Sequence, residues 1–355
     1  MTTPIRKYAF INAKLRARIS KLISENILQQ MINAHSLDEA LVILRDTPYR
    51  ILDDIYRKTG DLKLGELELL KGEINLYIDI EKYIHGDTLD LVRALLTLYE
   101  IDKLKNAVRL FFDRKIRKRT IDTAALYVLR DKILYDIPVD QIINADNLEE
   151  ISRALETTPY SAIIEKNSET VIRKGSLFLL EIALDHFYYE NLVSTAKKLS
   201  DRDRKDALRI IGVEIDLQNI NWILRFRRFY DLSLEEVLTL IIPGGYNLGI
   251  GLLEEAYTSQ NITRILHGII KTNYPGLSTL LSSQQAESTS ELLLIERILE
   301  RIMIHEIQRI LSGYPFTVGI VLSYFILKKI EIIKIKAILN AKQYKISEDR
   351  IKGVL

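Results

Sequence analysis

The sequence predicts an all-α fold, because apolar residues recur at helical spacing almost throughout and strand-like alternation is rare. In ELLLIERILERIMIHEIQRIL, for example, Ile295, Ile298, Leu299 and Ile302 mark one helical face. The 15 glycines and 7 prolines mostly stand between the periodic segments, where they end helices. Isoleucine is mildly unfavourable in isolated helices, so we expect packing to stabilise these helices.

The first element that the chain repeats is a short helical stretch closed by Thr-Pro-Tyr. INAHSLDEALVILRDTPYRIL, from Ile32, aligns without gaps with INADNLEEISRALETTPYSAI, from Ile143. A third stretch, YTSQNITRILHGIIKTNYPGL, from Tyr257, is a weaker match in the same register. In the second copy, Asn147 and Glu150 have the spacing of a capping box.

Thr-Pro-Tyr itself predicts a corner between helices. Proline disfavours a helical conformation in the residue before it and cannot continue a helix interior. We therefore expect each copy to end a helix, with the tyrosine covering the corner. The alternative is a site for tyrosine modification or binding.

The second repeated element is a polar pattern that recurs at nearly equal intervals. It reads EIDKLKNAVR from Glu100, DLQNINWILR from Asp216 and EIIKIKAILN from Glu331. Residues three apart share a helical face, so Glu100 with Lys103, and Glu331 with Lys334, are predicted to form ion pairs. Recurrence at equivalent places favours packing between domains over chemistry.

Two independent motifs that recur at similar intervals predict three copies of one helical unit of about 115 residues, a common domain size. This period is too long for solenoid repeats. The predicted domains are residues 1–118 for copy one, 119–231 for copy two and 232–355 for copy three.

Several classes of site are not expected. The chain has no cysteine, so disulfides, zinc thiolate sites and cysteine nucleophiles are excluded. The five histidines form no HExxH pattern, and IPGGYNLGIG, from Ile242, lacks the lysine and Ser/Thr of a phosphate-binding loop. We therefore expect no metal, no cofactor and no catalytic residue, and interpret those glycines as a turn. The apolar run from Phe316 is too short to span a membrane and predicts a buried helix.

Two basic segments are candidate partner-binding sites, DRKIRKRT and WILRFRRFY. Their cations are Arg114, Lys115, Arg117 and Lys118 in the first, and Arg225, Arg227 and Arg228 in the second. Arginine interleaved with aromatic residues is common at interfaces. Three interpretations stay open: solvated helix ends, where cations favour the dipole, a protein or membrane contact, or phosphate binding. The net charge of +2 argues against a nucleic-acid partner.

Three longer stretches carry a resemblance to a known family. YAFINAKLRARISKLI, EIDLQNINWILRFRRFYDLSLEEVLTLIIPGGYNL and YPFTVGIVLSYFILKKIEI resemble the C subunit of A/V-type ATP synthases, the equivalent of the d subunit of V-ATPases. The resemblance covers essentially the whole chain. One departure is Lys334, which stands where the middle copy has Asn219.

The resemblance implies three similar helical-bundle domains arranged as a pseudo-threefold funnel. It also implies a non-catalytic subunit of the central rotor, present once per complex, peripheral to the membrane on the cytoplasmic face. The implied partners are the central-stalk subunits of D and F type and the membrane proteolipid ring, between which torque for ion (proton) transport passes.

A socket for the stalk needs an apolar lining. We expect GLLEEAY and the helix from Phe316 to contribute to it. The alternative is a generic all-α protein-binding scaffold with no rotor role.

Overall fold

A computed structural model describes residues 4–259, 262–275, 277, 291–348 and 350–351, and these residues form helices without any strand. The predicted all-α class is therefore confirmed. The first nine helices are α1 (Pro4–Ile19), α2 (Glu25–Asn33), α3 (Leu37–Ile43), α4 (Arg50–Thr59), α5 (Leu62–Glu81), α6 (Asp87–Lys115), α7 (Asp122–Ala125), α8 (Val139–Asn144) and α9 (Leu148–Ala154). The others are α10 (Ser161–Lys174), α11 (Phe178–Lys198), α12 (Asp201–Phe229), α13 (Leu234–Leu240), α14 (Ile250–Thr258), α15 (Ile262–Asn273), α16 (Glu291–Ser312) and α17 (Gly319–Gln343).

The chain divides into two compact units. The first unit joins Met1–Pro48 to Ala196–Leu355, and the second comprises Tyr49–Thr195. The N-terminal helices α1–α3 therefore belong with α12–α17, although α4 follows them directly in the chain. The division of the sequence into copies 1–118, 119–231 and 232–355 stays a prediction.

One apolar core of the first unit lies among α12, α14, α15 and α16. Ile220 and Ile223 of α12 are fully buried there with Leu253, Leu266 and Ile302. The start of α17 is also buried, from Val318 to Phe325, as the run from Phe316 predicts. No helix in the described ranges is long and apolar enough to cross a membrane.

The second unit is built around α6, a helix of 29 residues. Its buried side chains, such as Leu91, Leu96, Ile101 and Phe111, extend over most of its length. It packs against α5, which precedes it, and against α8 of the next predicted copy.

Helix α9 has Asn147 as its N-cap, as the capping pattern predicts, but Glu150 binds the N–H of the residue before the N-cap and not that of the N-cap itself. The Asn147 side chain accepts a hydrogen bond from the Glu150 backbone N–H at 2.9 Å, and the Glu150 carboxylate accepts one from the N–H of Asp146. In the first copy, Ser36 and Glu39 make the same pair of bonds, with the backbone of Glu39 and His35. The repeat thus extends to the details of helix initiation.

The three repeated tyrosines lie at corners and are buried. Tyr49 and Tyr160 are 0% exposed and immediately precede α4 and α10, and Tyr274 is 1% exposed at the end of α15. Thr47 and Thr158 each donate a hydrogen bond to the carbonyl three residues earlier, at 2.7 Å. This confirms the interpretation of Thr-Pro-Tyr as a helix boundary, and burial makes the tyrosines inaccessible to modification in the folded chain.

Candidate partner-binding surface

Each of the three long helices that carry the repeated polar pattern binds backbone belonging to another predicted copy. We call such a helix and the backbone that it binds a joint. The first joint is α6 with residues 130–145, the second is α12 with residues 242–256, and the third is α17 with residues 23–34. The third joint returns to the start of the chain, since α17 packs against α1, α2 and α3.

In the first joint, Glu100 is the acceptor. Its side chain is fully buried and accepts hydrogen bonds from the backbone N–H groups of Leu134 and Tyr135, at 3.0 and 2.7 Å. The hydroxyl of Tyr160 donates a third bond at 2.7 Å. Burial first, and then the Glu100 charge, raise the pKa of Tyr160 far above its ordinary value.

In the second joint, Asp216 accepts hydrogen bonds from three consecutive backbone N–H groups, those of Tyr246, Asn247 and Leu248, at 2.6–3.2 Å. The chain approaches so closely that a Cβ on Gly245 would clash with the Asp216 Oδ1. Burial raises the pKa of the Asp216 carboxyl to about 6, although the three N–H bonds act to lower it. The glycine-rich segment is thus a turn, as predicted, and its backbone binds a carboxylate of the same chain.

In the third joint, Glu331 accepts a hydrogen bond from the backbone N–H of Ile23 and pairs with Lys328, one turn before it, at 3.1 Å. Lys334 pairs with Glu300 of α16 at 2.7 Å. Lys334 stands three positions after the repeated acid, as Lys103 and Asn219 do in the other two joints. These three side chains do not have the same kind of partner.

The predicted ion pair between Glu100 and Lys103 is wrong. Lys103 instead donates to the backbone carbonyls of Arg130 and Asp131, at 3.2 and 3.0 Å. Asn219, its counterpart, forms a reciprocal pair of 2.9 Å bonds with the backbone of Ile242. The backbone of a neighbouring segment offers the side chains of Lys103 and Asn219 better geometry than the carboxylate three residues earlier on their own helix. An ion pair between residues three apart on an exposed helical face contributes only about 0.2–0.5 kcal/mol. Lys334, the predicted partner of Glu331, takes Glu300 as described above.

A cation near the end of each long helix completes each joint. Arg114 donates to the carbonyls of Ile143, at 2.9 Å, and Ala145, at the C-terminal end of α8. Lys342 does the same for Ile32 and Ala34 at the end of α2. Cations at helix C-termini are favourable because carbonyls there lack partners within the helix.

The second joint has the same arrangement in a weaker form. Arg227 donates to the carbonyl of Ala256 in the last turn of α14, at 3.4 Å. Sequence reasoning missed Lys342. It stands 11 residues after Glu331, as Arg227 stands 11 residues after Asp216, and this shared spacing in the repeated polar pattern is the signal that finds it.

The other cations at the end of α6 are mostly paired within the second unit. Lys115 pairs with Asp146 at 2.7 Å, and Arg117 pairs with Asp113 at 3.0 Å and lies over the Phe112 ring. Lys118 is exposed in a left-handed conformation, with φ of 55°. Among the described residues, Lys118 is therefore the one predicted cation here that neither pairs with an acid nor donates to a helix end.

The end of α12 differs. Arg225 and Arg228 are exposed, and no acidic side chain in the described part of the chain pairs with either. Arg228 lies 5.4 Å from the centre of the Phe229 ring. Phe229 and Tyr230 are 68% and 40% exposed. We call Arg225, Arg228, Phe229 and Tyr230 the α12 tip.

The two stretches expected to line a socket have different exposures. The start of α17, from Val318 to Phe325, is buried in its own unit, and its contribution to a socket stays a prediction. In GLLEEAY, Leu253 and Ala256 are buried and Leu252 is 36% exposed. Ile250, at the first position of α14, is 68% exposed, and the preceding Tyr246 is 46% exposed. The apolar surface of this region is thus the start of α14.

The described residues contain no group of three or more His, Asp or Glu side chains placed to hold a metal ion. The buried carboxylates of the joints are all occupied by hydrogen-bond donors of the chain itself. The arrangement of these groups can therefore hold helices together and present a surface.

Comparison with known proteins gives consistent matches over the whole length. The sequence profile of the ATP synthase (C/AC39) subunit family matches residues 11–354. The chain is 24% identical to the C subunit of the A-type ATP synthase of Methanocaldococcus jannaschii, over 100% of this chain and 88% of that protein. It is 26% identical to the C subunit of Methanosphaera stadtmanae, over 95% and 84%, and 24% identical to that of Pyrococcus horikoshii, over 98% and 90%.

Proposed function

The chain belongs to the ATP synthase (C/AC39) subunit family, and on this premise we propose that it is a non-catalytic rotor subunit that joins the central stalk to the membrane proteolipid ring. The observation that carries the proposal is the match to this family from residue 11 to residue 354. The relatives are subunits of A-type ATP synthases. We propose that the subunit sits once per complex on the cytoplasmic face of the membrane.

The joints support this role physically. A subunit that transmits torque has to resist shear between its parts, and apolar contacts alone are not directional. Each joint adds buried hydrogen bonds to charged groups, which are stronger than neutral ones and fix orientation. Their recurrence supports the proposed three-copy organisation, for which the resemblance implies a funnel.

We propose that the α12 tip is the docking site for an acidic surface of a stalk subunit. Its two arginines have no acidic partner within the described chain, and its two aromatic side chains are exposed beside them. Arginine and aromatic residues are the side chains that most often carry binding energy at interfaces. Of the seven cations predicted as partner-binding, Arg225, Arg228 and Lys118 are left available in the structure, whereas Arg114, Lys115, Arg117 and Arg227 bind within the chain.

Calorimetry of the purified chain with purified D-type and F-type stalk subunits, in moderate salt, tests both proposals. We expect one-to-one binding. Reversal of both tip charges, Arg225→Glu with Arg228→Glu, is expected to weaken binding at least about tenfold, because opposite charges then become like charges across the interface.

The matched control is Arg173→Glu with Lys174→Glu. These two cations also lie exposed at the end of a helix, α10, where no acidic side chain of the described residues pairs with them, and their reversal changes the net charge equally. We expect it to change the affinity by less than about twofold. Unchanged binding by the tip variant would remove the α12 tip as the docking site. Absence of binding by a folded wild-type chain, both to the stalk and to the proteolipid ring, would favour the general scaffold.

A further inference from the structure

Two of the three long helices are followed by a lysine in the left-handed backbone conformation. Lys118 follows α6 with a φ of 55°, and Lys345 follows α17 with a φ of 54°. Among the described residues, no others except glycines have a positive φ. A lysine is strained in this conformation, because its Cβ comes too close to the following carbonyl oxygen.

The same chain uses glycine at its other left-handed helix ends. Gly60 ends α4 with a φ of 69°, and Gly175 ends α10 with a φ of 58°. Glycine is the usual residue at this position, since it adopts the conformation without strain. Folding by itself therefore favours glycine at positions 118 and 345 as well. A strained residue at such a position points to a function of its side chain.

Hydrogen bonds hold the strained turn at the end of α17. The N–H of Ile346 donates to the carbonyl of Ala341 at 2.9 Å, and the N–H of Lys345 donates to the carbonyl of Lys342 at 3.1 Å. These two bonds form a Schellman motif, in which Lys345 has the place that glycine usually takes. Ile351, shortly after the turn, is 3% exposed. The turn is therefore attached to the first unit on both sides.

The side chains of this turn are exposed to solvent. Tyr344 is 68% exposed, Ile346 is 41% exposed and Lys345 between them is exposed as well. We call these three residues the α17 tip. No acidic side chain in the described part of the chain pairs with Lys345. The helix dipole favours a cation here, but it does not account for the exposed tyrosine and isoleucine beside that cation.

The α17 tip and the α12 tip lie at the same end of the first unit, because α12 and α17 run in the same direction. Near the start of both helices, Asp203 accepts a hydrogen bond from the N–H of Val318 at 2.8 Å. Further along, Glu214 pairs with Lys329 at 3.3 Å. The residues of each pair are 115 positions apart in the sequence, so the two helices lie side by side in register.

We propose that the α17 tip is a second docking point for the acidic partner surface that the α12 tip binds. Lys345 contacts a carboxylate of the partner, and Tyr344 and Ile346 bury apolar area beside that contact. Two contacts with one partner set its orientation on the first unit, which a single contact leaves free to turn. The inference rests on the function proposed above and adds partner-binding residues outside the two basic segments.

Lys345→Gly tests the proposal, because it removes the charge and the backbone strain together. We expect the midpoint of thermal unfolding to be no lower than that of the wild type. In calorimetry, we expect the affinity for purified D-type and F-type stalk subunits to fall at least about threefold. A side chain present for stability alone would give the opposite pair of results.

A second variant and a control separate the charge from the backbone. Asparagine also tolerates the left-handed conformation, so Lys345→Asn removes the charge without the freedom of glycine, and we expect the same loss of affinity. Lys174→Gln removes an equal charge from the exposed end of α10. We expect this control to change the affinity by less than about 1.5-fold.

The outcomes distinguish this inference from the proposed function. Stalk binding by the wild type, with unchanged affinity of both Lys345 variants, would overturn the inference and leave the α12 tip in place. So would a loss of affinity in Lys345→Gly alone, since backbone freedom would then be the cause. A lower unfolding midpoint of Lys345→Gly would also overturn it. Absence of stalk binding by a folded wild-type chain would overturn both proposals.

Discussion

At the end of α6, Arg114 binds two carbonyls of α8, and its neighbours Lys115 and Arg117 pair with Asp146 and Asp113. At the end of α12, Arg227 makes one longer bond to α14, and the cations on either side of it, Arg225 and Arg228, have no acidic partner in the described structure. The two helix ends have similar runs of basic residues. Whether these cations are available to a partner therefore depends on which acidic side chains the fold places beside them. The number of cations in the run does not show this.

The acids of these two joints differ as well. The longer Glu100 side chain reaches two N–H groups and a tyrosine, whereas the shorter Asp216 requires the backbone to come to it. That approach is possible only because residue 245 is glycine. The backbone of the second joint thus surrounds Asp216 more closely than the backbone of the first joint surrounds Glu100. The cation of the second joint, Arg227, makes a longer hydrogen bond than Arg114 does in the first.

The largest expected effect breaks the second joint alone. In Gly245→Ala the new Cβ would overlap the Asp216 Oδ1, so the carboxylate has to give up some of its N–H bonds. We expect the free energy of unfolding of the first unit to fall by about 3 kcal/mol. Urea unfolding followed by the fluorescence of Trp222, the chain's single tryptophan and buried in α12, measures it.

Gly251→Ala serves as the control, because a Cβ there meets nothing within 4 Å and the residue lies in the first turn of α14. We expect no loss of stability from it, and a gain of up to about 1 kcal/mol from the helix propensity of alanine. Equal effects of the two variants would show that Asp216 does not require the close approach at residue 245.

A smaller effect sharpens the contrast between the two cations. Arg114→Met leaves two carbonyls of α8 without a donor and is expected to lower the protection of α8 amides by about 2 kcal/mol. Arg227→Met removes a 3.4 Å hydrogen bond at an exposed position. We expect it to lower the protection of α14 amides by less than about 0.5 kcal/mol. Hydrogen exchange measures both in the same experiment, and a larger loss for Arg227→Met would contradict the ranking.

The smallest effect concerns the pH dependence of the second joint. Asp216 has a pKa of about 6 in the folded chain against 3.8 for an ordinary aspartate, so the folded state binds its proton more tightly than the unfolded state. The stabilising contribution of this group is therefore complete below pH 3.8 and is lost as the pH rises through 6. Between about pH 5 and 7 we expect wild type to lose about 1 kcal/mol relative to Asp216→Asn, with Trp222 again as the probe. A difference that grows in favour of the wild type as the pH rises would show that the three N–H bonds outweigh burial.

The sequence predicted much of this architecture from local signals. Apolar spacing predicted the helices, Thr-Pro-Tyr predicted the corners, and the Asn147 and Glu150 pair predicted how α9 begins. These features depend on neighbours within a few residues of each other, so the sequence contains them. The resemblance to the family also rested on local stretches, and the match over residues 11–354 confirmed it.

The partners of the polar pattern depended on residues far apart in the chain. Sequence reasoning paired Glu100 with Lys103 because they lie one turn apart, but both found backbone partners in the segment from Arg130 to Tyr135. Lys342 gave no local signal at all, since its acceptors at Ile32 and Ala34 lie near the other end of the chain. Helix formation is governed by contacts three and four residues apart, which a sequence displays directly. Packing between distant segments governs which backbone groups bind each buried charged side chain, so only the tertiary structure decided these partners.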